Sequence, residues 1–300
     1  MQKIIGISGG KGGTGKTFVA TNLAIMLAEN HRVLLADADV ENPNVSILLN
    51  EKLEGNGQVV SSFIPKIIPE NCIFCGTCAN ACRYHALFQM KMKSPVLIEP
   101  LCRSCELCMK VCTSSAIESE QHAIGEIFRY EKDSNLTVFV GRLFPGETKT
   151  PRLISKMLEQ AREDTARSSN GYDFMIVDCA PGAHCDVEKA LKDTDEVYCV
   201  TEPTPLGAHD LKRTLELARF LNKPAKIIIN RADMVEYSTP IELISKEWGA
   251  DIIARIPLSR EVMETYARGE SLYYIHKAKA DHLDHPVLKE FSKIIEMMES

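Results

Sequence analysis

Residues Gly9 to Thr17 read GGKGGTGKT, after an apolar run from Lys3 to Ile7 and before a helical period from about Lys16 to Ala28. In this strand–loop–helix setting the string is a phosphate loop. Backbone N–H groups of a glycine-rich turn cradle phosphate oxygens, and the following helix N-terminus adds unpaired donors and a favourable dipole. Gly10, Gly12, Gly13, Thr14 and Gly15 form the expected cradle. Lys16 is placed to reach the outer phosphates and the Thr17 hydroxyl to ligate Mg²⁺.

Other segments repeat the strand–helix alternation. Arg32–Ala36, Leu136–Val140, Phe174–Val177, Glu196–Val200, Ala225–Ile229 and Asp251–Ile256 read as strands. Helical periods fit about Pro151–Arg167, Gly207–Leu221, Pro240–Trp248 and Pro286–Met298. Near-continuous apolar strands are those of a parallel sheet covered on both faces. The expected fold is α/β, a mostly parallel sheet with helices on both sides. The second strand runs into LLADADVENPN, which puts Asp37 and Asp39 where ligands gather in open α/β sheets. FMIVDCAPGAHCDV places Asp178 after four apolar residues, as a Mg²⁺-binding (Walker B) aspartate requires.

The period weakens between Asn50 and Ser62, and from about Pro65 to Glu120 cysteines and short apolar runs replace it. The expected organisation is a nucleotide-binding domain formed by residues 1–62 and 121–300, with residues 63–120 inserted. Of 11 cysteines, eight lie between Cys72 and Cys112, so metal ligation rather than ordinary core packing governs that segment. The chain opens straight into its phosphate loop without the apolar core of a signal peptide. No stretch has the length to span a bilayer. The expected compartment is therefore the cytoplasm, where a disulfide scaffold is disfavoured. A net charge of −6 with no basic block excludes a general nucleic-acid binder.

Cys72, Cys75, Cys78 and Cys82 are spaced C-x2-C-x2-C-x3-C, and Cys102, Cys105, Cys108 and Cys112 repeat this thirty positions later. Paired C-x2-C units alone would suit zinc. Three close thiolates plus a fourth, twice, favour two [4Fe-4S] clusters, with the fourth cysteine of each run ligating the other cluster. One expected ligand set is Cys72, Cys75, Cys78 and Cys112; the other is Cys102, Cys105, Cys108 and Cys82. The repeat predicts two similar halves.

KGGTGKT resembles the deviant Walker A motif of the MinD, ParA and nitrogenase iron protein superfamily. The resemblance implies ATP as ligand and Lys11 as a signature lysine that reaches the partner's nucleotide in an ATP-dependent homodimer. Asp39 matches the switch I aspartate that orients the attacking water near Mg²⁺; Asp37 assists it or caps the next element. Gly182 matches the switch II glycine. IIINRAD and IPLS resemble base-binding segments, with Asn230 as adenine contact and Asp233 as a second candidate. The cysteine segment looks like a bacterial-type two-cluster ferredoxin, with Arg83 and Thr113 replacing the usual proline after each last cysteine. TEPTPLGAHDL and Cys185 also resemble MinD-superfamily ATPases carrying an inserted ferredoxin domain. His184 and Asp186 stand where that group has glycine and proline.

The activity implied is Mg²⁺-dependent ATP hydrolysis coupled to iron–sulfur electron transfer to an unidentified redox or client protein. One alternative is an ATPase of cluster assembly or transport. Another is a MinD-like positioning switch, which requires a basic amphipathic tail. The end, HPVLKEFSKIIEMMES, is acidic at its tip and reads as a core-packed helix, so no membrane partner is expected. His276, His282 and His285 read as a solvated surface.

Overall fold

The computed structural model describes residues 2–53, 55, 57–167, 171–234, 238–277 and 284–299. Its strands, in chain order, are β1 (Lys3–Ser8), β2 (Val33–Asp37), β3 (Gln58–Ile67), β4 (Leu87–Phe88), β5 (Val96–Leu97) and β6 (Ile117–Glu131). β7 (Leu136–Leu143), β8 (Phe174–Asp178), β9 (Glu196–Thr201), β10 (Ala225–Asn230) and β11 (Ile252–Ile256) follow. The main sheet has the order β11-β10-β9-β1-β8-β2-β7-β6-β3. From β11 to β7 every pairing is parallel. This is the α/β sheet expected from the alternation of apolar runs.

Successive side chains of a strand point to opposite faces, and both faces here are apolar. Ile5, Ile7, Val33 and Leu35 meet helices Lys16–Leu27, Leu272–His276 and Pro286–Glu299 on one side. Leu34, Ala36, Met175 and Val177 meet Thr150–Arg167, Cys185–Leu191, Pro205–Phe220 and Ser238–Trp248 on the other. Helix Thr150–Arg167 shows the reason in its sequence: Leu153, Ile154, Met157, Leu158 and Ala161 recur at helical spacing and are all buried. The last helix buries Val287, Leu288, Phe291, Ile294 and Met298. No helix among the described residues is long and apolar enough to cross a membrane.

At one edge the sheet turns antiparallel. β7 pairs with β6, and β6 pairs with β3 in a ladder from Gln58↔Ile127 to Ile67↔Ile117. Residues 58–62, which show no clear period in the sequence, are therefore strand, and the expected limits at 63 and 120 fall inside β3 and β6. Pro65 hides β3 from a periodicity reading, since proline removes a ladder donor; it is accommodated because β3 is an edge strand. The first half of β6 extends beyond its pairing with β7, leaving β3 and β6 as a two-stranded arm with residues 68–116 at its tip.

The thirty-residue repeat recurs in the backbone of that tip. A single 3-10 turn precedes each cysteine run, Pro69–Asn71 and Glu99–Leu101, and a short helix lies inside each, Thr77–Ala81 and Leu107–Lys110. Left-handed φ values fall at Phe74 and Ser104, Gly76 and Glu106, His85 and Ser115, each pair thirty positions apart. The halves exchange equivalent bonds: Ile68 N–H donates to Ala116 O at 2.9 Å, and Ile98 N–H to Ala86 O at 2.7 Å.

Candidate functional site

The phosphate loop leaves the carboxyl end of β1, between β8 and β9. Gly15 has φ +96°, and a Cβ there would lie 2.2 Å from the Asn230 amide, so only glycine fits. The loop delivers Lys16 to the first position of helix Lys16–Leu27, where its side chain is buried and donates to Lys11 O at 3.0 Å. Burial lowers the Lys16 pKa, while the Asp178 and Asp39 carboxylates pull it back up. The loop thus carries a positive charge in a place poor in water, where an anion gains most from it.

Neighbouring parallel strands bring the carboxylates together. Asp37 lies in register with Asp178. Asp37 is fully buried and accepts from Asp39 N–H at 3.2 Å and from Val45 N–H at 3.0 Å. It therefore anchors the turn into helix Val45–Leu48, the capping alternative of the two open for it. Burial and then the Asp178 charge push its carboxyl well up. Asp178 is also buried, and apart from the nearby Thr17 hydroxyl nothing among the described residues is placed to bond its carboxylate oxygens. Burial pushes Asp178 up to about 7, against the nearby Thr17 hydroxyl and the Lys16 ammonium. Asp39 is half-buried and accepts from Asn42 N–H at 3.3 Å; burial raises its pKa too. An orphaned buried carboxylate beside a second carboxylate and a hydroxyl is a hard-oxygen donor set that fits Mg²⁺.

Gly182 adopts φ +101°, and its N–H donates to Gly9 O at 3.1 Å, which ties the loop after β8 to the phosphate loop. Asn230 ends β10; its amide donates to Thr14 O at 2.8 Å and its oxygen accepts from Arg231 N–H at 3.0 Å. The residue expected to touch a base thus also braces the phosphate loop. Asp233 accepts from Leu258 N–H at 2.6 Å and so joins the two segments that resemble base-binding loops. Lys11 lies 3.5 Å from the buried Glu202 carboxylate, which also binds Arg231. The sequence reading misses Glu202. Its signal is a carboxylate at the carboxyl end of β9, inside TEPTPLGAHDL, but its partners are remote in sequence.

At the tip of the arm, two small cavities of about 20 Å³ each lie among the cysteines. Cys82, Cys102, Cys105 and Cys108 border the first; Cys72, Cys75, Cys78 and Cys112 border the second. None of the eight is in a disulfide. Each fourth cysteine accepts a backbone bond at its sulfur, Cys82 from Ala86 N–H and Cys112 from Ala116 N–H, both at 3.3 Å. The walls are otherwise largely apolar, including Phe63, Pro65, Leu87 and Leu97 in one and Ile67, Pro95 and Ile117 in the other. Soft sulfur donors around a space, with N–H groups aimed at sulfur, suit an iron–sulfur cluster.

The remaining candidates resolve differently. Cys179 and Cys199 are buried in the sheet core, while Cys185 is exposed at the start of its helix. His276 is buried rather than solvated and bonds Glu261 at 2.7 Å; His285 lies 3.6 Å from the same carboxylate. Val287 N–H donates to His285 Nδ1, which leaves Nε2 as the proton-bearing nitrogen facing Glu261, so the group is a hydrogen-bonded staple. His282 lies outside the described residues.

The family profile described as the CobQ/CobB/MinD/ParA nucleotide binding domain matches residues 5–272. The chain is 32% identical over 268 residues to the uncharacterized protein MJ0579 of Methanocaldococcus jannaschii, covering 89% of this chain and 90% of that one. It is 24% identical to an iron-sulfur cluster carrier protein of Aquifex aeolicus, over 99% of this chain and 67% of that one. In fold it is similar to the septum site-determining protein MinD complexed with Mg-ADP from Pyrococcus horikoshii. That match has a TM-score of 0.61 and 19% identity, and covers 100% of this chain and 97% of that chain.

Proposed function

The chain belongs to the CobQ/CobB/MinD/ParA nucleotide-binding family of P-loop ATPases, and on that premise we propose that it hydrolyses ATP to direct electron transfer through two [4Fe-4S] clusters to a partner protein. The observation that carries this reading is the pair of cavities, each bordered by three cysteines of one run and the fourth of the other. A single zinc ion would take four sulfurs to about 2.3 Å from one point; a quartet made of three cysteines of one run and the fourth of the other is the grouping that two-cluster ferredoxin ligation requires. Residues 68–116, at the tip of the β3–β6 arm, act as an electron-carrying insert in the ATPase.

The chain's own groups divide the work. Gly10, Gly12, Gly13, Thr14 and Gly15 present N–H groups to the phosphates, and Lys16 neutralises the outer ones. Asp178, Asp39 and the Thr17 hydroxyl hold Mg²⁺. Asp39 also orients the attacking water. Gly182 exchanges its bond to Gly9 O for a terminal phosphate oxygen. Asn230 keeps one amide hydrogen on Thr14 O and offers the other to adenine. The clusters, held by the two cysteine quartets, supply one-electron chemistry.

Protein prepared anaerobically is expected to hold about eight iron and eight acid-labile sulfide per chain. Iron should stay with the chain when ATP and a chelator are added. Stoichiometric zinc without sulfide would reject the clusters. ATP-dependent loss of iron to the chelator would establish instead the carrier reading, which the Aquifex aeolicus relative favours by its name.

Lys11 is parked on Glu202 of its own chain, with its side chain 37% exposed. Once ATP is bound, it leaves Glu202 and neutralises charge on a second chain's phosphates. Sedimentation with Mg²⁺ and a non-hydrolysable ATP analogue is expected to show a dimer for the wild type and a monomer for Lys11→Ala. A wild type that stays monomeric at saturating analogue removes the shared site.

A further inference from the structure

The two halves of the cysteine segment are alike in sequence and backbone but not in attachment. Among the described residues, the hydrogen bonds of residues 69–82 stay within residues 68–116, the longest reach being Asn71 Nδ2 to Ser115 O at 3.4 Å. Their Ile73 and Phe74 are exposed. The second half is fastened to the ATPase body. Arg103, next to Cys102, donates to Thr148 O at 2.9 Å, and the Thr148 hydroxyl donates to Pro100 O at 3.1 Å. Glu99 lies 3.1 Å from His122 Nε2, which lies 2.5 Å from Glu147; Lys149 holds the other Glu147 oxygen at 3.0 Å. Ser104, buried, donates to Ser62 of the arm at 3.2 Å.

The same short loop touches the loop after β2. The Thr150 hydroxyl donates to Glu41 at 2.9 Å, and Leu143 N–H donates to Val40 O at 2.8 Å. Glu41 and Val40 follow Asp39, the carboxylate assigned to water and Mg²⁺. A cleft of about 880 Å³ lies alongside, bordered by Asp39, Glu41, Arg103 and Lys149.

We propose that residues 143–150 form a strut that couples the Asp39 loop to the cavity of Cys82, Cys102, Cys105 and Cys108, making that cluster the nucleotide-sensing one and leaving the other insensitive. Glu41 and Thr150 are positioning residues in this scheme: they act on the cluster through Thr148 and Arg103. The proposal rests on the reading of the chain as a cluster-bearing ATPase and adds which cluster responds and by what path. Coupling between two sites requires an element whose arrangement both of them bias. The strut meets that requirement, because rearrangement at Asp39 moves Glu41 and with it the anchor of Thr150. Coupling is reciprocal, so the redox state of this cluster alters nucleotide affinity in return.

The test isolates each cluster. Cys75→Ser leaves the responsive cluster and Cys105→Ser the other, both substitutions being at exposed positions. Iron content and binding of the ATP analogue are measured first; their absence defeats the ATPase–cluster reading itself and this proposal with it. In loaded chains, a dithionite titration followed by EPR is run with and without analogue and Mg²⁺. In Cys75→Ser the reduction equilibrium is expected to move about tenfold, equivalent to about 59 mV for one electron. In Cys105→Ser it is expected to stay put. Thr150→Val and, separately, Glu41→Gln in the Cys75→Ser background should remove the shift while nucleotide still binds. Equal shifts in both single-cluster chains, no shift in either, or a shift that survives both strut substitutions overturns the proposal.

Discussion

Asp39→Ala is expected to bind ATP within a few-fold of the wild type and to turn it over about 10²- to 10⁴-fold more slowly, the range for losing a positioned catalytic group. Binding survives because the phosphate cradle and Lys16 belong to other elements, the loop after β1 and the start of helix Lys16–Leu27. Turnover falls because Asp39 is the half-buried carboxylate beside the orphaned Asp178 and within electrostatic reach of Lys16. Removing it leaves the water unoriented and one fewer carboxylate facing Mg²⁺. Nucleotide binding by fluorescence and phosphate release under saturating Mg²⁺–ATP separate the two effects. Lys16→Ala gives the opposite pattern, with productive binding lost first. Full turnover in Asp39→Ala would take this residue out of the mechanism.

Cys112→Ser is expected to damage the cluster whose other three ligands come from the first cysteine run, and to leave the second run's cluster loaded. Cys112 follows Cys102, Cys105 and Cys108 in the chain, yet it borders the cavity of Cys72, Cys75 and Cys78. Iron should fall from about eight toward about four per chain if the damaged cluster is lost entirely. A variant that instead converts to a three-iron cluster shows the same assignment by its EPR signature. Cys82→Ser is the reciprocal variant and should spare the cluster that Cys112→Ser damages. Loss confined to the second run's cluster in Cys112→Ser would contradict the crossed arrangement.

The cysteine spacing was readable because ligation of this kind is local: three residues of each run lie within one short loop, and the fourth follows at once. The phosphate loop was readable for the same reason. The edge strands were not. β3 carries Pro65, and the first half of β6 is largely exposed and polar on both faces, so neither shows the alternation that marks a half-buried strand. The burial of His276 is not legible in the sequence, since it depends on Glu261 and His285 rather than on its neighbours in the chain. Asp37 stood between two readings in the sequence, and only its bonds to Asp39 and Val45 chose one.

From the sequence alone came the α/β class, the phosphate loop, its candidate carboxylates and the two cysteine runs, all expressed in runs of a few residues whose spacing is local. The tertiary structure decided what those parts can say to one another. Glu202 meets Lys11 because β9 lies beside β1. Asn230 braces Thr14 across 216 positions, and Thr150 reaches Glu41 across 109. Both contacts depend on the parallel strands of the sheet, which set the carboxyl ends of β10, β9 and β1, and of β2 and β7, along one edge. A repeat written symmetrically in the chain became asymmetric for that same reason: among the described residues, hydrogen bonds join only its second half to Thr148, beside the Thr150 that reaches Glu41.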